Sequence, residues 1–250
     1  MEYKNLILIG TSHIAKQSMH EVTSAIETEK PEIIAIELDK RRYYALTHNI
    51  KRKVSLLDIK VIGLKGFLFN IIGAWIEKKL GKMVGVEPGS EMMTAINLAK
   101  KHNIKIELID QDIELTLQRI SKELTWKERL NFVIDILKGI FLRKSELRKL
   151  GITNIDLTRV PSKSLIKKLT KIMKERYPGL YRVLVEERNN VMAANLKKIM
   201  EDFPDKKIVA VIGAGHEDEL MDLIKESPEI TYSFKIRNVY KQEKTINEKW

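Results

Sequence analysis

Two short segments, Ile9-Gly10-Thr11-Ser12-His13 and Ile212-Gly213-Ala214-Gly215-His216, share the pattern Ile-Gly-x-x-His. Each closes an apolar, β-branched run. A glycine at such a point lets the chain leave a sheet sharply and brings backbone close to a ligand. The histidine then opens the next helix. A helix N-terminus disfavours imidazolium, so both rings are expected to be neutral. Neutral imidazole is the form that binds a divalent metal or accepts a proton. A third group, Glu37, ends the apolar run Ile33-Ile34-Ala35-Ile36. An unpaired charge there would be costly, so a metal, a histidine, or Arg41 and Arg42 must offset it. Two histidines and a glutamate are a usual set for catalytic zinc and also suit manganese or cobalt. The helix-borne pattern His-Glu-x-x-His is missing, and so is the Gly-x-Ser-x-Gly elbow of a serine hydrolase.

These residues need a frame that brings strand ends together. The chain alternates between β-type runs and helical periodicity. Strands are expected at Asn5–Gly10, Glu32–Leu38, Asn103–Asp110, Lys206–Gly213 and Ile230–Asn238. Helices are expected between them, with Asp39 and Asp112 as N-caps and Pro31 as a stop. This order implies an α/β fold with a mainly parallel central sheet flanked by helices. We expect one domain over residues 1–240, a large helical insertion at about 124–202 acting as a lid or as a second layer, and a polar tail at 241–250. In open parallel sheets ligands bind beyond the carboxyl ends of the strands. The four ends carry His13, then Glu37 with Arg41 and Arg42, then Asp110 and Asp112, then His216.

The chain has 250 residues, 44% hydrophobic and 32% charged, with a net charge of +11 and no cysteine. Thiolate metal sites and a cysteine nucleophile are excluded. A positive balance favours anionic partners, but aromatics are only 6% and no basic–aromatic tract occurs, so nucleic acid is not expected. The apolar stretch Val61–Ile76 is shorter than a membrane span and contains Lys65. Glu87-Pro88-Gly89-Ser90-Glu91 looks like an anion-binding helix start, which makes Ser90 a candidate substrate contact.

Several blocks together resemble the TraB/PrgY pheromone-shutdown family, itself grouped with the TIKI metalloproteases and, more distantly, with erythromycin-esterase and ChaN-like proteins. They are GTSHIAKQSMHEV, PEIIAIELDKRR, GVEPGSEMMTAINLAK, IELIDQDIELTLQRI, LVEERNNVMAANL and VAVIGAGH. The resemblance runs from about Leu6 to His216. It implies a functional centre of two Gly-x-x-His motifs and a glutamate, which fall on His13, His216 and Glu37. Arg41, Asp110, Arg119, Glu187 and Arg188 fall in the matching blocks as site-lining residues. One departure is Gln111, where the family pattern leads us to expect arginine. A second is that many archaeal relatives continue into membrane helices, so the chain is expected to be soluble as given, and cytoplasmic or membrane-associated through an anchor not in this sequence.

The resemblance implies a metal-dependent hydrolase, peptidase-like, using manganese, cobalt or zinc on a peptide or other small substrate. Two alternatives stay open: a non-catalytic, membrane-associated factor that sequesters a peptide, and a metal-independent histidine-based, esterase-like hydrolase. An anionic membrane surface and a second copy of the chain are the further partners this reading allows.

Overall fold

The computed structural model describes residues 1–11, 16–50, 89–141 and 163–226, with single positions at 60, 63, 67 and 71. His13, most of the apolar stretch Val61–Ile76, the expected strand Ile230–Asn238 and the tail lie outside the described residues.

The elements run β1 Glu2–Tyr3, β2 Leu6–Thr11, α1 Lys16–Glu29, β3 Ile33–Ile36, α2 Lys40–Thr47, α3 Ser90–His102 and β4 Lys105–Leu108. Then come α4 Ile113–Glu123, α5 Trp126–Phe141, α6 Lys163–Arg176, α7 Pro178–Tyr181, a π-helical segment Arg182–Glu186, α8 Glu187–Asp202, β5 Ile208–Gly213 and α9 Glu217–Lys225. The five-stranded sheet has the order β1-β2-β5-β3-β4. β2, β5, β3 and β4 are mutually parallel, and β1 runs antiparallel to β2. The fold is therefore α/β with a mostly parallel sheet between helices, as the alternation implied. The short antiparallel β1 was not anticipated as a separate strand.

Side-chain alternation divides the core in two. On one face Leu6, Leu8, Ile33, Ala35, Ile208, Ala210 and Ile212 meet Met192 and Leu196 of α8 and Leu220 and Ile224 of α9. On the other face Ile34, Ile36, Val209 and Val211 meet Val22 and Ile26 of α1 and Met92, Ala95, Ile96 and Ala99 of α3. Every residue of β3 and β5 is buried, which is why those runs barely alternate in sequence. α8, within the 124–202 stretch, packs on the sheet through Met192, Ala193, Leu196 and Ile199.

Asp39 and Asp112 cap α2 and α4 as expected. Asp39 Oδ1 accepts from the amides of Arg41 at 2.7 Å and Arg42 at 3.0 Å, and Asp112 Oδ1 from that of Glu114 at 2.7 Å. Thr125 and Glu128 form a capping box at the start of α5. Glu128 accepts from the Thr125 amide at 2.8 Å and also from Gly179 N at 2.7 Å in α7. One buried carboxylate thus ties the starts of two helices together.

Candidate functional site

The sheet order sets the site. β2 and β5 are neighbours, so the two Gly-x-x-His exits lie side by side. β3 lies on the other side of β5, and β4 follows it. The strand exits after Thr11, Gly213, Ile36 and Leu108 therefore stand in that order along one edge, and the last three carry His216, Glu37 and Asp110. Gly10 sits in a close approach: a Cβ there would lie 2.9 Å from Glu217 Oε2 and 3.2 Å from Ala214 Cα, so these neighbours would have to shift. The strand ends are stitched by Thr11, whose hydroxyl donates to Ile212 O at 2.9 Å and whose carbonyl accepts from Ala214 N at 2.7 Å.

Glu37 is buried, its side chain 2% exposed. Its Oε2 accepts from Gly213 N at 2.5 Å and its Oε1 from Arg188 Nη2. His216 Nε2 lies 3.6 Å from the same Oε1. Gly213 therefore contributes its amide to the carboxylate as well as a turn in the chain. Arg188 is the hub. Its Nε donates to Asp110 Oδ1 at 2.9 Å and its Nη2 to Asp110 Oδ2 at 2.7 Å, a bidentate fork. Its Nη1 makes the two longest contacts, 3.3 Å to Leu184 O and 3.3 Å to His216 Nε2. Burial alone would lower the Arg188 pKa, but the charges of Glu37 and Asp110 outweigh it and raise it, so the guanidinium stays charged. Arg42 adds a second cation, donating to Asp110 Oδ2 at 2.9 Å and to Glu37 O at 2.9 Å. His216 Nδ1 lies 2.6 Å from Asn189 Oδ1.

Glu37, Asp110, Arg188 and His216, four residues expected from sequence, meet in one cluster. The others fall elsewhere. Arg41 is exposed and pairs with Glu114 and with Asp112, at 3.6 Å. One residue on, about 100° around the helix, Arg42 takes the inward place. Arg119 and Glu187 pair with each other between α4 and α8, at 2.5 Å and 3.1 Å. Ser90 opens α3 behind the positive-φ Gly89, on the opposite face of the sheet from α8. Gln111 has no charge partner of its own; its Nε2 donates to Thr116 Oγ1 at 2.9 Å, and Asp110 is neutralised by Arg42 and Arg188 instead. Arg42, expected with Arg41 as a possible counter-charge for Glu37, reaches the Glu37 carbonyl and Asp110 instead, and Asn189 carries a contact that sequence reasoning did not assign to a site. Asn189 had one signal, its place directly after Arg188 in a matching block.

The TraB/PrgY/gumN family matches residues 2–226. The chain belongs to the TraB/PrgY/gumN family. An uncharacterized protein of Methanocaldococcus jannaschii is 36% identical over 224 residues, covering 89% of this chain and 54% of that protein. TraB domain-containing proteins of Mus musculus and Homo sapiens are 23% and 22% identical over 233 residues, covering 84% of this chain and 60% of each of them. The TraB-family chain thus spans little more than half the length of these relatives. Among its described residues no helix is long and apolar enough to cross a membrane.

The family resemblance implies a divalent metal, and the described residues can be tested against it. Among them no group of three His, Asp or Glu side chains converges on one point. Glu37 Oε1 and His216 Nε2, at 3.6 Å, have the separation of two ligands on one ion. The Arg188 guanidinium, however, lies against both atoms. A permanent cation beside both donors does not fit a resident divalent ion unless Arg188 withdraws and a third ligand joins.

Proposed function

We propose that this chain is a hydrolase of acyl bonds, with peptides as the first substrate class to try. His216 is its base and Arg188 its electrophile. The observation that carries this reading is the placement of His216 Nε2, 3.3 Å from a charge-locked guanidinium at the strand-exit edge. A base beside a fixed cation suits attack of water on a carbonyl. Arg188 Nη1 leaves Nε2 for the developing oxyanion as water adds to the carbonyl carbon, the freed Nε2 takes the water proton, and that proton is then given to the departing amine or alcohol as its bond to carbon breaks. The developing oxyanion needs a preorganised donor. Arg188 Nη1 supports that role, because its two hydrogen bonds are the longest the guanidinium makes. Glu37 and Asp110 hold the guanidinium in place.

A metal-dependent version is the second reading, favoured by the 3.6 Å separation of Glu37 Oε1 and His216 Nε2. It calls on His13 as the third ligand and on manganese, cobalt or zinc. One set of measurements separates the readings. The purified chain is incubated with a mixed peptide library, with and without a strong chelator, and its bound metal is quantified. Turnover that survives chelation but is lost in His216→Ala supports the first reading. Turnover that needs stoichiometric metal lost in His216→Ala supports the second. Peptide capture without any cleavage overturns both and favours a sequestering factor.

A further inference from the structure

His216 has a second neighbour shell that the hydrolytic reading does not use. Asn189 Oδ1 lies 2.6 Å from His216 Nδ1. Asn189 Nδ2 in turn donates to Glu219 Oε2 at 3.2 Å. The other oxygen of Glu219 accepts from the Tyr181 hydroxyl, and the pairing pushes the Tyr181 pKa up through burial first and the Glu219 hydrogen bond second. Asn189 is 1% exposed, Tyr181 2% and His216 7%.

The direction of these bonds is fixed by what each group can do. An ionised carboxylate only accepts, so Glu219 must face the amide nitrogen of Asn189. The amide oxygen is then left facing His216, and an amide oxygen also only accepts. The ring must therefore donate from Nδ1. The other ring nitrogen faces Arg188 Nη1, which can only donate, so Nε2 must be the acceptor. Glu37 Oε1, at 3.6 Å, is beyond hydrogen-bond range. Both flanks of the ring select the same tautomer.

The helix is built to allow this. Tyr181 and Asn189 are eight residues apart, which in a regular α-helix is about 80° past two full turns. They nonetheless reach the same carboxylate. The π-helical segment Arg182–Glu186 lies between them. Its wider turns take up about one extra residue, roughly 100° of rotation, and bring the two side chains to one face.

We infer that Asn189, backed by Glu219 and Tyr181, is a positioning residue that holds His216 with its proton on Nδ1 and its lone pair on Nε2. Its effect on rate rests on the hydrolase reading; the tautomer does not. The test is therefore made first on the ring. Nitrogen-15 spectra of the full chain are recorded near pH 8, above the ordinary histidine pKa of about 6.5. His216→Gln identifies the resonances. The parent is expected to show Nδ1 protonated and Nε2 unprotonated. Asn189→Asp combined with Glu219→Gln, which exchanges donor and acceptor between the two side chains and still sets an acceptor against Nδ1, is expected to keep that pattern, and Asn189→Leu to lose it. Glu219→Gln is expected to weaken it, because the Asn189 amide can then turn. A parent ring protonated on Nε2, or an Asn189→Leu spectrum identical to the parent's, overturns the inference. The parent spectrum decides even where Asn189→Leu fails to fold. If peptide turnover is found, Asn189→Leu is expected to lower kcat about 10–100-fold with little change in KM, and Asn189→Asp combined with Glu219→Gln to keep most of the parent rate. Equal losses in both variants would overturn the positioning role. A correct tautomer without turnover would overturn only the hydrolase reading.

Discussion

Glu187 and Arg188 are neighbours on α8, and each makes a bidentate arginine–carboxylate pair. The two pairs do different work. Arg188 is 14% exposed and meets Glu37 and Asp110, whose side chains are 2% and 0% exposed. Glu187 is 23% exposed and meets Arg119, which is 38% exposed. In the first pair water cannot replace either partner, so each charge is committed to the other. In the second pair water competes, and salt screens what remains. The same chemistry one residue apart is a buried, committed pairing in one place and a modest brace in the other.

This contrast can be broken by mutation. Arg188→Met leaves two buried carboxylates without their main cation, and should cost about 3–5 kcal/mol in urea unfolding at neutral pH, along with any activity. A loss below about 1 kcal/mol would mean that Arg42 alone neutralises the pair, and the contrast would fail. Between the extremes lies Glu128, a buried charge met by N–H and O–H groups instead of a cation. Burial alone would raise its pKa, but hydrogen bonds from Thr125, Leu180 and Gly179 outweigh it, and the net shift is downward. A carboxyl lowered on folding stabilises above its unfolded pKa, and that contribution is lost as pH falls through the folded value. Glu128→Gln should therefore cost about 1.5–3 kcal/mol at neutral pH, and the difference from the parent should shrink in acid. A difference that is constant with pH would show that the charge is not what holds the two helices. Arg119→Ala should have the smallest effect, about 0.2–1 kcal/mol in denaturant titration, reduced further at 1 M salt. A cost as large as that of Arg188→Met would show that exposure does not distinguish the two pairs.

Much of this was legible along the chain. The β-branched runs, the caps at Asp39 and Asp112 and the alternation of strands and helices report local physics, and the strands and caps within the described residues fell where those signals placed them. Glu37 stood out because a carboxylate in an apolar run needs a partner. What could not be read was that Arg188 would meet that carboxylate, and that Arg42 rather than Arg41 would reach Asp110 and the Glu37 carbonyl. Arg41 and Arg42 differ only by a rotation of one residue about α2, and that rotation is set by packing, not by residue type. The long run from Leu180 to Asp202 reads as uniform helix, yet it contains a π segment. The wider turn shows only through its consequence, that Tyr181 and Asn189 share Glu219.

The sequence by itself determined the strands, the caps, the glycine exits and a list of polar residues that apolar strands cannot carry unpaired. Those features depend on near neighbours, and near neighbours are written in order. The tertiary structure alone decided that β5 sits between β2 and β3, and so which exits adjoin. It also decided that Arg188, 151 positions from Glu37, closes the buried pair. Strand order and burial are collective outcomes of packing two helical layers on one sheet, and no local segment encodes them.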